Sequence, residues 1–85
     1  IAVEDYENQQ MTLYPNPASE VVNISLPESK DDLQITIYDV SGKTVFRTMA
    51  SGMATISTRE LKNGFYVVAC QNREFNIKRK LIIEH

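Results

Sequence analysis

Hydrophobic and polar residues alternate along most of this chain in short stretches. Val22, Ile24 and Leu26 are interleaved with Asn23 and Ser25, and Leu33, Ile35 and Ile37 with Gln34 and Thr36. A period of two puts alternate side chains on one face of an extended strand, so each stretch offers one apolar side to a core. Shorter or less regular strands are predicted at Met11 to Tyr14, at Lys43 to Met49 around Val45, and at Met53 to Ser57 around Ile56. Gly64 to Gln71 carries Phe65, Tyr66, Val67, Val68 and Ala69 in succession; apolar on both faces, it predicts a central strand. The last stretch, Glu74 to Glu84, opens with Phe75 and Ile77 and closes with Leu81, Ile82 and Ile83. No helical period is sustained. Ser57 to Leu61 predicts a single turn, capped by Ser57 or Thr58, with Leu61 plugged into the core.

Seven short strands separated by turn residues predict an all-β fold, a seven-stranded antiparallel β-sandwich. Two layers are needed because a single sheet would leave an apolar face in water. A closed barrel is the alternative. Ile24, Ile35, Ile37, Ile56, Tyr66, Val68 and Leu81 are expected to form one core. Residues 1–10 are polar and acidic without a period, and are expected to be a linker before a domain at 11–85. With 85 residues and a hydrophobic share of 42%, that core is thin. A chain of this size has a net stability of about 4–13 kcal/mol.

Charge and composition narrow the chemistry. The formal net charge is -2, which argues against a nucleic-acid partner. One cysteine, Cys70, and one histidine, His85, supply no disulfide, no zinc site and no Cys/His nucleophile pair. No catalytic residue, metal or cofactor is therefore expected. No basic segment leads into an apolar one, so no secretory signal peptide is read within these residues. The charges are asymmetric. Residues 1–42 hold eight acids and one base, and residues 43–85 hold eight bases and three acids. Pairing of strands from the two halves is expected to neutralise most of them.

Three turn motifs punctuate the strands. In Tyr14-Pro15-Asn16-Pro17-Ala18 the two prolines remove two backbone donors and must stop the first ladder. In Tyr38-Asp39-Val40-Ser41-Gly42-Lys43 the Asp39 carboxylate can accept from amides two residues on, and Gly42 can take a positive φ, so a hairpin is predicted. Asn63-Gly64, between Leu61 and Tyr66, is a strong turn dipeptide. Glu28, Asp31 and Asp32 cluster in one loop without the spacing of a calcium loop. Cys70, on an apolar strand, reads as a small buried hydrophobe.

Taken in order, these residues resemble a family. Tyr14-Pro15-Asn16-Pro17-Ala18, then Tyr38-Asp39-Val40-Ser41-Gly42-Lys43, then Leu61-x-x-Gly64-x-Tyr66-x-Val68, then Lys80-Leu81-Ile82-Ile83 look like the type A C-terminal sorting domain of the bacterial type IX secretion system. The resemblance covers about residues 12–83 and departs at Cys70, where an aliphatic residue is usual. It implies a seven-stranded immunoglobulin-like sandwich that directs a cargo protein across the outer membrane. It implies as partners an outer-membrane translocon, a shuttle protein and a surface sortase, which removes the domain near the linker and usually joins the cargo to anionic lipopolysaccharide. It also implies transit through the periplasm to the cell surface or medium.

The residues expected to meet these partners are Tyr14, Pro15, Asn16, Pro17, Gly42, Lys43, Gly64, Lys78, Lys80, Leu81, Ile82 and Ile83. Lys78 to Ile83 holds the sharpest conflict of pattern, three cations running into an apolar end on both faces. It is expected to be the segment the export machinery takes, with Leu81 to His85 dispensable for folding. An exposed edge strand, or the segment before Pro15, offers a homodimer by strand pairing or swapping. The competing reading is an interaction or carbohydrate-binding module appended to an enzyme or adhesin. It is disfavoured by the absence of Trp and by the expectation that the Phe and Tyr residues are needed in the core.

Overall fold

A computed structural model describes residues 11–29, 31–73 and 76–85 and contains seven strands among them. The linker assigned to residues 1–10 and the strand start at Glu74 and Phe75 lie outside the described residues. The strands are β1 (Thr12–Tyr14), β2 (Val21–Ser25), β3 (Leu33–Tyr38), β4 (Thr44–Ala50), β5 (Met53–Ser57), β6 (Gly64–Gln71) and β7 (Asn76–Ile83). They form two antiparallel sheets, β1-β2-β5 and β4-β3-β6-β7. The sheets are separate, which makes the fold a sandwich and not a closed barrel.

Register follows from the alternation. Val22 and Ile24 pair with Ile56 and Ala54 across β2 and β5, and Leu13 pairs with Ile24 across β1 and β2. In the other sheet Ile35 and Ile37 pair with Cys70 and Val68, and Cys70 and Tyr66 pair with Ile77 and Leu81. All of these side chains point between the layers, and all but the half-buried Ala54 are buried. The seven expected core residues are all among the buried ones. Fully burying an aliphatic side chain of this kind contributes about 1.5–3 kcal/mol. A register shift after Ile37 leaves Val45 as an extra residue in β4, packed against the core.

β6 is central, as predicted, but its outward face is only partly buried: Ala69, beside Thr36 of β3, is covered, and the outward residues before it are not. Tyr66, Val68 and Cys70 face the core, whereas Phe65 and Val67 face solvent and are 53% and 37% exposed. Phe46 and Tyr14 are also exposed, so the expectation that the aromatic residues serve the core fails. Among the described aromatic residues Tyr66 is the buried exception. Its hydroxyl donates to the Lys62 carbonyl at 2.7 Å, pinning the start of β6 to the connection before it, as the tyrosine corner of related sandwiches does.

Asn63-Gly64, the turn dipeptide, lies between the layers and not in a hairpin, because β5 and β6 belong to different sheets. Residues 58–63 instead carry the chain from one layer to the other. A turn forms there, with the Leu61 amide donating to the Thr58 carbonyl at 3.1 Å and Leu61 packed on the core. The Thr58 hydroxyl does not cap it but donates across to the Ser19 carbonyl at 2.8 Å. Strands from the two halves do pair, yet one ion pair, Arg59 with Glu20 at 3.4 Å, joins charges of the two halves among the described residues. It is well exposed and contributes little.

Ile37 lies at the middle of β3, the strand flanked by β4 and β6, and is 0% exposed. Ile37→Ala is expected to cost about 2–5 kcal/mol, a large part of the total stability. Urea denaturation of the two proteins checks this; an unchanged midpoint would remove Ile37 from the core.

Candidate functional site

The opening and terminal motifs, far apart in sequence, form one seam. β1 lies in the three-stranded sheet and β7 is the edge of the four-stranded sheet. Between β1 and β2 the chain passes along that edge. The peptide bonds Tyr14-Pro15 and Asn16-Pro17 are both cis. Between the prolines, the Asn16 side chain meets the edge of β7 as a backbone amide would. Its Nδ2 donates to the Lys80 carbonyl at 3.1 Å, and its Oδ1 accepts from the Ile82 amide at 3.0 Å. Two residues on, Ala18 continues with real backbone. Its amide donates to the Ile82 carbonyl, and its carbonyl accepts from the Glu84 amide, each at 2.8 Å. This is a parallel bridge between Ala18 and Ile83. Ala18 itself is fully buried.

Three other contacts fasten the same end of the chain. Arg79 points inward from β7, and its Nη1 donates to the Met11 carbonyl at 2.6 Å, so the last strand holds the entry to the first. The His85 amide donates to Asn63 Oδ1 at 2.9 Å, and its Nε2 lies 2.7 Å from the Leu61 carbonyl oxygen. Gly64, with φ of +148°, follows Asn63 and pairs with Ile83.

The structure thus brings Pro15, Asn16 and Pro17 to the free edge of the segment Lys78 to Ile83, and Gly64 pairs with the same strand from its other side. Tyr14 stands apart on the outer face of the three-stranded sheet, its hydroxyl 3.8 Å from Met53 Sδ. Leu81 and Ile83 are 0% and 1% exposed. They are core residues of the folded domain, not free anchors, and Leu81 to His85 carries both the inward side of β7 and half of the seam. The expectation that this segment is dispensable for folding is corrected on that ground. Lys78, Lys80 and the half-buried Ile82 face outward. The seam was invisible in the sequence because its partners lie 64 and 66 positions apart and nothing local marks them.

Gly42 and Lys43 lie in the β3–β4 hairpin, built as the sequence predicts. The Asp39 carboxylate accepts from the Ser41 hydroxyl at 2.7 Å, the Ser41 amide at 2.9 Å and the Lys43 amide at 3.0 Å. Gly42 adopts φ of +90°, a conformation that strains any residue with a Cβ. The Ser41 hydroxyl and the Lys43 amide stabilise the charged form, with help from the Ser41 amide and the Lys43 cation, and hold Asp39 below its usual carboxylate range. The Cys70 thiol is pushed up to about 11 by burial, so it is a packing group and not a nucleophile.

A shallow concavity of about 850 Å³ connects this hairpin to the outward side of β6 and β7. Tyr38, Val40 and Gly42 line one end, and Phe65, Val67 and Lys80 the other. Lys80 Nζ stands 4.8 Å from the centre of the Phe65 ring, a cation–π contact. The outward residues of β6 were missed because an apolar run was equated with burial on both faces.

Comparison with known proteins fits this architecture. Residues 12–84 match the family described as the secretion system C-terminal sorting domain. The chain is 34% identical over 76 residues to an endo-acting ulvan lyase from Formosa agariphila, covering 85% of this chain but 14% of that protein. Its fold is similar to a solved DUF3244 family protein with an immunoglobulin-like β-sandwich from Bacteroides vulgatus. The TM-score there is 0.74 at 16% identity, over 88% of this chain and 85% of the other. The sandwich is therefore immunoglobulin-like, and the chain belongs to the C-terminal sorting domain family of the type IX secretion system. Its function is that of a sorting signal, which sends the protein carrying it to the cell surface or the medium.

Two outcomes follow from this geometry. Asn16→Ala leaves the Ile82 amide and the Lys80 carbonyl without their side-chain partner, at a cost of about 0.5–1.5 kcal/mol per hydrogen bond lost. Hydrogen exchange at the Ile82 amide should speed up while exchange at the β3–β6 ladder amides follows only the global stability; equal protection of Ile82 in both proteins would refute the clamp. Asp39 supplies a pH test. Its folded pKa lies below the unfolded value, so it stabilises above the ordinary carboxylate range near about 3.9, and this is lost as pH falls through the lowered value. The melting-temperature deficit of Asp39→Ala should be full at neutral pH and close in strong acid.

Proposed function

We propose that the domain is of type A and that an outer-membrane translocon, a shuttle protein and a surface sortase act on it in turn. The cargo passes through the periplasm, and the sortase then removes the domain near residues 1–10. The domain has no catalysis of its own. The chain spans about 14% of the length of the lyase it resembles, so that lyase's activity says nothing of the cargo here.

The observation that carries this reading is the seam. The opening motif from Pro15 to Ala18 and the terminal motif at Lys78 to Ile83 make up one folded edge, so a partner that reads one reads both. Within it the outward groups, Asn16, Lys78, Lys80 and Ile82, are the ones a partner can touch. Leu81 and Ile83 act through folding. Gly42, Lys43 and Gly64 act by shaping turns. Pairing between copies, if the cargo dimerises, would use β4, an edge of its sheet with exposed Phe46 and Met49.

The test is a fluorescent reporter carrying this chain at its C-terminus, expressed with a signal peptide in a bacterium that has the secretion system. It should reach the surface or the medium without the domain. A translocon-deletion strain should hold it in the periplasm, and a sortase-deletion strain should keep the domain attached. Delivery that ignores both deletions would overturn the proposal.

A further inference from the structure

Period-two geometry divides the outward side chains of the two sheets into separate surfaces, and these differ sharply in charge. On the three-stranded sheet the outward residues are Thr12 and Tyr14, Val21, Asn23 and Ser25, and Met53, Thr55 and Ser57, with no charge among them. On the four-stranded sheet the outward positions of β3, β4, β6 and β7 include Arg47, Lys78 and Lys80 and no acid. The strands of this face are thus basic on a chain of net charge -2, and the acid that lines the concavity, Asp39, has its carboxylate engaged by Ser41 and Lys43 within the hairpin. The face is also apolar in its middle. Phe65 and Val67 are exposed between Tyr38 and the lysines, and Val40, 82% exposed, overhangs the concavity from the hairpin. An exposed aromatic in a concavity with cations beside it is the anatomy of an anchor and its steering charges.

We propose that the outward face of the four-stranded sheet is the surface by which the secretion machinery holds the folded domain, and that its occupant is an acidic protein surface carrying apolar side chains. The proposal rests on the function argued above and names the surface that serves it. Charge complementarity picks the acid, and the concavity over Phe65 and Val67 picks an apolar group to fill it. Three cations spread over a sheet attract an anionic bilayer weakly, and they do not make the continuous basic stripe a nucleic acid needs. Lys80, held over the Phe65 ring, links the two halves of the site.

The reporter fusion tests this with three double variants, each checked by circular dichroism and melting. Lys78→Glu with Lys80→Glu reverses the charge; Phe65→Ser with Val67→Thr removes the anchor; Val21→Thr with Met53→Ser alters the other sheet's outer face. Surface delivery should fall about tenfold or more in each of the first two, as loss of a central contact does, and stay at the wild-type level in the third. Lys78→Arg with Lys80→Arg should retain delivery. Normal delivery of either of the first two as a folded protein overturns the proposal. If Phe65→Ser with Val67→Thr does not fold, the exposed lysine pair decides alone. A wild-type dimer in sedimentation that Phe65→Ser abolishes would assign the face to a second copy, and cosedimentation with anionic phospholipid vesicles lost on charge reversal would assign it to lipid. Either overturns it. Failure of the underlying function is distinct, because the unaltered fusion would then go undelivered.

Discussion

One side chain makes the two ends of this domain a single object. Asn16 presents an amide to the edge of β7 at the two positions where a neighbouring strand would bond, and Ala18 then completes the pairing with backbone. A strand edge left open is a template for other chains. Here one edge of the larger sheet is closed by a segment too short, and too rich in proline, to be a strand. Proline cannot donate, so the side chain between the two prolines supplies what the backbone lacks. The same crossing fastens the sheets together, because β1 and β7 belong to different layers. With Arg79 on the Met11 carbonyl and His85 on the β5–β6 connection, the last strand is held by the segments before and after the first and by the crossing between layers.

A thin core explains why such ties matter. The buried residues come from every strand but β4, which contributes half-buried Val45 and Ala50, and the buried set is mostly aliphatic. The sequence spends its special residues on turns and edges: Asp39 and Gly42 in the hairpin, Tyr66 at the layer crossing, Asn16 at the seam. Each satisfies backbone groups that would otherwise be exposed or unpaired.

The strands were legible because period two survives wherever one face is buried, and so was the Asp39 hairpin, whose bonds span four residues. What was not legible depended on partners distant in sequence. Asn63-Gly64 announces a turn but not the sheet that the next strand joins. Phe65 and Val67 announce a central strand but not a covered outer face. In β7 the alternation is intact, yet Arg79, half-buried, occupies an inward position, where its guanidinium donates to the Met11 carbonyl. That inward cation made a regular strand look like a basic segment running into an apolar one. Of the site, the residue types were legible and their juxtaposition was not.

β7 serves three purposes on three sides, and this orders the terminal motif. Its inward side, Ile77, Leu81 and Ile83, is core. Its free edge is occupied by Asn16 and Ala18. Its outward side alone, Lys78, Lys80 and Ile82, meets solvent. Of the side chains of β7, a partner that binds the folded domain therefore meets the outward set, whereas the inward set governs whether there is a folded domain to bind. Substitutions at neighbouring positions of one short motif then act by different physics. Those at Leu81 and Ile83 remove buried volume and fall on stability. Those at Lys78 and Lys80 change a field at the surface and fall on encounter with the partner.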